Sequence, residues 1–206
     1  LEKGVSCNVV AAAEYRDTAY TQATMRGANF ISADTWDDRF QRAKEIASAK
    51  EHSLTYLYIP ELDKYGHKSG WTSSGWAAML EELDAALRGF CSKLPADTGV
   101  IITSDHGMME TSDSRQLVLD DLYEKSGVVK YVGGDTRVNY VYLESQDSIE
   151  QVVEDLQPFS YGFDAVSTSE AISAGWFGKM RQPARDRLPE LMLVAKSDFT
   201  LYHSKY

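Results

Sequence analysis

The chain alternates short apolar runs with amphipathic stretches, and that order limits its folding more than any other feature. Val5 to Ala12 (VSCNVVAA) suits a buried strand. Asp34 then caps a helical stretch, Thr35 to Glu51, in which Trp36, Phe40, Ala43 and Ala47 recur at three- and four-residue spacing. Ser53 to Ile59 (SLTYLYI) is β-branched and aromatic, and Pro60 closes it. A second helix is predicted from Ser73 to Lys93, with Trp76, Met79, Leu80, Leu83 and Leu87 on one face and Pro95 beyond its end. Gly99 to Thr103 (GVIIT) is a further apolar run read as a strand. Strand, helix, strand, helix, strand over residues 5–103 is the rhythm of a three-layer α/β/α sandwich with a mostly parallel central sheet.

Downstream the pattern changes. Gly127 to Tyr131 and Arg137 to Leu143 read as two strands around Gly133-Gly134-Asp135, a hairpin-type connection. Ile149 to Leu156 reads as a short helix, Ala165 to Thr168 as an extended piece and Glu190 to Ala195 (ELMLVA) as a late strand. These later strands either extend the first sheet or build a side layer; the pattern is compatible with both. No repeat, low-complexity tract or Pro/Gly/Ser-rich linker interrupts the chain, so residues 1–206 are expected to be one domain.

Composition excludes several roles. A net charge of −10 and a sequence pI near 4.9 give no diffuse attraction to a nucleic-acid duplex or an anionic membrane. No apolar run approaches the roughly 18 residues of a membrane span. Cys7 and Cys91 form neither a disulfide framework nor a metal-like pair and read as buried small hydrophobes. The chain starts at Leu1 without a signal-type pattern and stops at Tyr206 without a terminal helix, so a piece of a longer protein is expected.

In α/β sheets ligands gather beyond the carboxyl ends of the strands. Pro60-Glu61-Leu62-Asp63-Lys64-Tyr65-Gly66-His67 follows one apolar run, and Ser104-Asp105-His106-Gly107-Met108 follows another. Two of the chain's four histidines thus stand beside an aspartate at a strand exit. Asp63 and His67, four apart, face one side of a helical turn, where carboxylate and imidazole can share a cation, and Gly66 permits a tight backbone path. Asp105 and His106 are adjacent, so reaching one metal requires a sharp turn, which Gly107 makes easy. Such mixed ligands suit zinc best, with manganese or iron next. Two pairs on neighbouring strand ends would suit two metals clamping a phosphoryl group. Alone, each pair is more often a surface ion pair, an N-cap followed by a turn, or hydrogen-bonded groups with no metal; their joint occurrence after two apolar runs favours the metal reading.

Other residues keep structural readings. Trp71, Trp76 and Trp176 read as packing anchors, His52 as a solvated helix end, Asp120-Asp121 as a solvated turn, and Arg181, Arg185 and Arg187 as surface charge.

The blocks Ile59-Pro60-Glu61-Leu62-Asp63-Lys64-Tyr65-Gly66-His67-Lys68-Ser69-Gly70 and Thr103-Ser104-Asp105-His106-Gly107-Met108 resemble, in kind and order, the nucleotide pyrophosphatase/phosphodiesterase family of the alkaline phosphatase superfamily. Arg187-Leu188-Pro189-Glu190-Leu191 with Met192 to Ala195 is similar to the strand preceding that family's last metal-binding histidine. The resemblance implies an alkaline phosphatase-like fold and a two-zinc hydrolase, with manganese as a substitute. Such enzymes cleave phosphodiester or pyrophosphate bonds of nucleotide-type substrates through a phospho-threonine or phospho-serine. It places Asp63 and His67 on one zinc, and Asp105 and His106 on the other. Relatives are often exported or membrane-facing.

The resemblance also implies a nucleophile and an aspartate ligand upstream of the first block. No Thr or Ser between Leu1 and Ser53 is read in the required strand-to-helix setting; Thr18, Thr21 and Thr24 lie in a polar stretch. His203 lacks the glycines that flank the family's last histidine ligand. The expectation is four of six metal ligands, no nucleophile and no turnover from residues 1–206 alone. Alternative readings are a phosphomonoesterase or phosphonate hydrolase of the same superfamily, or a catalytically silent α/β binding module.

Overall fold

In a computed structural model, residues 4–49 and 51–203 are described. They fall into two compact units, the first ending at Met108 and the second beginning at Met109.

The first unit carries the strand–helix alternation. Its elements are β1 (Ser6–Ala11), α1 (Ala19–Thr24), β2 (Asn29–Ser32), α2 (Trp36–Ala47), β3 (Ser53–Leu57), α3 (Glu61–Ser69) and α4 (Ser74–Cys91). The three strands form a parallel sheet in the order β2-β1-β3, with Val9 paired to Phe30 on one side and Tyr56 on the other. The central strand is the most buried, which is why β1 is the most apolar. A parallel sheet joined by helices is the arrangement of an alkaline phosphatase-like α/β fold. Thr35, not Asp34, caps α2, accepting the Asp38 N–H at 3.1 Å. The helix stops at Ala47, short of the expected Glu51; residue 50 lies outside the described residues. Ser73 caps α4 in the same way. The two helices meet through stacked rings of Phe40 and Phe90, 4.9 Å apart.

In this unit, the elements of the polar stretch before Ala33 left no pattern of their own. The polar Thr-rich stretch holds α1, capped by Thr18, and the short β2, whose burial comes from pairing with β1 rather than from its own pattern. Conversely, Gly99–Thr103 forms no strand, and Ile101 is 93% exposed. A β-branched run becomes a strand only when a neighbour supplies the other half of its hydrogen-bond ladder, and none among the described residues pairs with this segment.

The second unit contains β4 (Gln116–Val118), α5 (Asp120–Ser126), β5 (Val129–Gly134), β6 (Val138–Leu143), α6 (Ile149–Leu156), β7 (Phe163–Ser167), α7 (Thr168–Ser173), α8 (Gln182–Arg185), β8 (Leu191–Ala195) and β9 (Thr200–Tyr202). The later strands build a sheet of their own, antiparallel throughout, in the order β5-β6-β8-β7, while β4 pairs with β9 in parallel. Its core joins Val141, Leu143, Leu191 and Leu193 to Val152 and Leu156 of α6 and to Leu119, Phe163 and Leu201.

Several side chains depart from their sequence reading. Cys91, the last residue of α4, is exposed. Trp71 and Trp176 are 40% and 51% exposed and anchor no core; Trp71 lies in the turn between α3 and α4, and Trp176 just after α7. Asp120 is no solvated turn residue: it opens α5 and pairs with His203 at 3.3 Å, each side chain less than one-sixth exposed.

Candidate functional site

The exit of β3 is welded in place by Arg39. This side chain is 1% exposed and donates to the backbone oxygens of Ala33 (3.1 Å), Asp34 (2.9 Å) and Tyr58 (2.8 Å). Its two Nη groups also grip both carboxylate oxygens of Glu61, the first residue of α3. One buried guanidinium therefore ties the exit of β2, the exit of β3 and the start of α3 together. Sequence reading passed over it, although Trp36, Arg39, Phe40 and Ala43 share the core-facing stripe of α2. An arginine on such a stripe is the signal that was available.

From that fixed start, α3 carries Asp63 and His67 one turn apart on the same side. The Asp63 side chain is 44% exposed as a whole, yet its Oδ1 is shut off from solvent and accepts no hydrogen bond. His67 Nε2 stands 3.3 Å from that oxygen and His106 Nε2 stands 4.0 Å from it. Two ligands of a tetrahedral zinc, each about 2.0–2.1 Å from the metal, lie about 3.3 Å apart. The Asp63–His67 separation matches that edge, and the orphaned oxygen is the atom a cation would satisfy. Donor chemistry and spacing thus fit two ligands of one ion. The set is open, since among the described residues no three His, Cys, Asp or Glu side chains close around one point.

Asp105 and His106 lie in the irregular segment after Thr103. Asp105 Oδ1 accepts the His106 backbone N–H at 3.1 Å, and Asp105 Oδ2 is 3.8 Å from His106 Nε2. His106 Nδ1 lies 2.9 Å from the carbonyl oxygen of Gly107. A carbonyl only accepts, so Nδ1 carries a proton, and Nε2 is the ring nitrogen that faces Asp63. The structure therefore sets His67 Nε2 and His106 Nε2 at 3.3 Å and 4.0 Å from Asp63 Oδ1, with Asp105 alongside His106 and 88% exposed. Neither Gly66 nor Gly107 has the positive φ that would make glycine a turn requirement. Gly66 lies inside α3, which runs helically through it.

Aromatic and charged side chains border the pair. Tyr58 meets Tyr15 edge-to-face at 5.2 Å, and Lys64 pairs with Glu14 at 2.6 Å while lying over the Tyr15 ring. Burial, followed by the neighbouring Tyr15 and then Asp63, pushes the Tyr58 phenol up. The hydrogen bond to Glu14 raises Lys64, and the same contact lowers Glu14. Thr35 does lie between β2 and α2, a strand-to-helix position the sequence reading missed. Its hydroxyl is committed to capping and donates to Asp38 Oδ2 at 2.8 Å.

A parallel α/β sheet joined by helices is consistent with an alkaline phosphatase-like fold. Residues 4–206 match the family described as Type I phosphodiesterase / nucleotide pyrophosphatase, and the chain belongs to that family. It is 29% identical over 121 residues to ectonucleotide pyrophosphatase/phosphodiesterase family member 3 of Rattus norvegicus, covering 54% of this chain and 14% of the relative. An uncharacterized pyrophosphatase/phosphodiesterase of Schizosaccharomyces pombe is 28% identical over 96 residues, 44% of this chain and 20% of the relative. The Mus musculus family member 3 is 29% identical over 99 residues, 46% of this chain and 11% of the relative. The chain spans well under two thirds of the relatives it matches. No helix among the described residues is long and apolar enough to cross a membrane.

Proposed function

We propose that residues 1–206 are part of the catalytic domain of a two-metal hydrolase acting on phosphodiester or pyrophosphate bonds of small nucleotide-type substrates. The observation that carries this reading is the buried, unsatisfied Oδ1 of Asp63 with His67 Nε2 at 3.3 Å and His106 Nε2 at 4.0 Å. Membership of the phosphodiesterase / nucleotide pyrophosphatase family supports it. Asp63 and His67 hold one cation, zinc by preference, and Asp105 and His106 hold a second.

The cations would lower the pKa of an attacking hydroxyl and neutralise charge on the phosphoryl oxygens. The chain's own residues prepare the site for that chemistry. Arg39 and Glu61 set where α3 begins and therefore where Asp63 and His67 point. The Gly107 carbonyl accepts from His106 Nδ1 and so orients the ring with Nε2 toward Asp63. A cation also reconciles an acidic chain with an anionic substrate, since the local field is set by the bound charge. The nucleophilic hydroxyl and the remaining ligands come from outside these residues.

Calorimetric titration of zinc into the chain tests the ligand set. Weak binding is expected, lost in Asp63→Asn and reduced in Asp105→Asn, with no turnover of a nitrophenyl phosphodiester. The complete protein should hydrolyse the diester faster than the monoester. Zinc binding indifferent to both substitutions would overturn the ligand set, and robust turnover by the short chain would overturn the placement of the nucleophile. A faster monoester rate would move the activity to the phosphomonoesterase reading.

A further inference from the structure

We propose that Met108 is a positioning residue that locks the Asp105–His106 segment onto α3, and that position 66 is glycine in order to admit its thioether. The proposal rests on the reading of Asp63, His67, Asp105 and His106 as one ligand set.

Gly66 is the one buried residue of α3. A β-carbon built there would overlap Met108 Sδ and lie 2.7 Å from Met108 Cε. It would also lie 3.4 Å from Trp76 Nε1. The indole, held by its Nε1–H donating to the Leu62 carbonyl at 2.9 Å, stays in ordinary contact, so the group that must move is the flexible end of Met108. The thioether therefore fills the notch left by a missing side chain, between the middle of α3 and the first turns of α4. Methionine suits such a notch, being unbranched, flexible and polarizable. Glycine within a helix is unfavourable relative to alanine. Since α3 needs no special backbone angle at this position, the close approach of Met108 accounts for glycine here.

The consequence reaches the ligands on both sides. Gly66 immediately precedes His67, and Met108 follows His106 by two residues. Segment 99–108 has neither helix nor strand to hold it, and His106 is 55% exposed. A side chain seated in α3 two residues further on gives this segment a fixed distance to Asp63 and His67. The two ligand pairs, carried by different elements, are set in register by one contact.

A double-substitution cycle on the complete chain tests the lock, with zinc as the probe and two metal-free readouts: the Met108 ε-methyl signal and the His106 ring signals by NMR. An NOE between the Met108 methyl and the Gly66 α-protons is expected in the parent. Gly66→Ala should displace both sets of signals and weaken zinc about tenfold, but by less than about twofold in the Met108→Ala background, since the obstruction is then gone. Met108→Leu, close in volume, should leave the His106 ring signals near their parent positions. If Gly66→Ala does not fold and the doubly substituted chain does, that rescue supports the lock. If neither folds, Met108→Ala alone decides, through movement of the His106 ring signals. Additive effects, or His106 signals unmoved by either substitution, overturn it. A parent chain that binds no zinc would overturn the ligand reading, while the NMR cycle still decides the lock.

Discussion

Arg39 Nη1 donates to Glu61 Oε2 at 3.1 Å while its Nη2 meets Oε1, so a buried guanidinium fixes the first residue of the helix that carries Asp63 and His67. Removing one partner of a buried pair leaves polar groups without compensation and typically costs about 3–5 kcal/mol. Arg39→Ala should lower stability by that order in urea unfolding. Arg39→Lys should recover little of it, because an ammonium cannot reproduce the two-point grip or reach three carbonyls. Arg39→Lys stability close to that of the parent would show that the fork is not what matters.

The turn between β5 and β6 has a sharper requirement. Gly134 adopts φ +91°, and a β-carbon there would run into the Val138 carbonyl oxygen. Asp135 Oδ1 accepts the backbone N–H groups of Arg137 (2.6 Å) and Val138 (3.1 Å). Gly134→Ala should therefore cost about 1–3 kcal/mol in backbone strain. Asp135→Ala should cost about 1 kcal/mol through lost hydrogen bonds. Thermal midpoints of the two variants check the order, and an equal or reversed ranking contradicts it.

Tyr123 gives a pH dependence with a definite sign. Burial first, and the Asp120 charge second, push its phenol well above the ordinary tyrosine value, and its hydroxyl donates to Asn139 Oδ1 at 3.2 Å. A group whose ionisation is raised by folding contributes stability that is complete below its unfolded value, about 10, and is lost as pH rises beyond it. Alkaline denaturation curves should therefore fall more steeply above pH about 10 for the parent than for Tyr123→Phe. Coincident curves would remove Tyr123 from the account.

Exposed apolar side chains at Ile101 (93%) and Ile102 (71%) make residues 100–102 an adhesive patch. The paired substitution Ile101→Asp and Ile102→Asp should reduce self-association in sedimentation velocity. It should shift unfolding stability by no more than about 0.5 kcal/mol, as for surface positions. A large loss of stability would mean that these side chains are buried in solution.

Much of this protein was readable without coordinates. Period and composition marked β1, β3, α2, α4, α6 and β8 to within a few residues, because burial of one face writes a local pattern. Histidine is rare in this chain, and its pairing with aspartate singled out Asp63, His67, Asp105 and His106; the strand-exit rule holds for the first two, whereas residues 99–103 before the second pair form no strand.

Tertiary structure decided the rest, and in each case the cause lies outside the local window. Asn29–Ser32 is a strand because β1 pairs with it, while the more apolar Gly99–Thr103 is not, for want of a partner. Arg39 is buried because five acceptors converge on it from three elements. Gly66 is glycine because of a methionine forty-two residues further on (66 to 108), not because of its own backbone. Periodicity reports which face of an element is covered. It carries no information about which distant atoms do the covering, and that choice is what sets His106 Nε2 within 4.0 Å of Asp63 Oδ1.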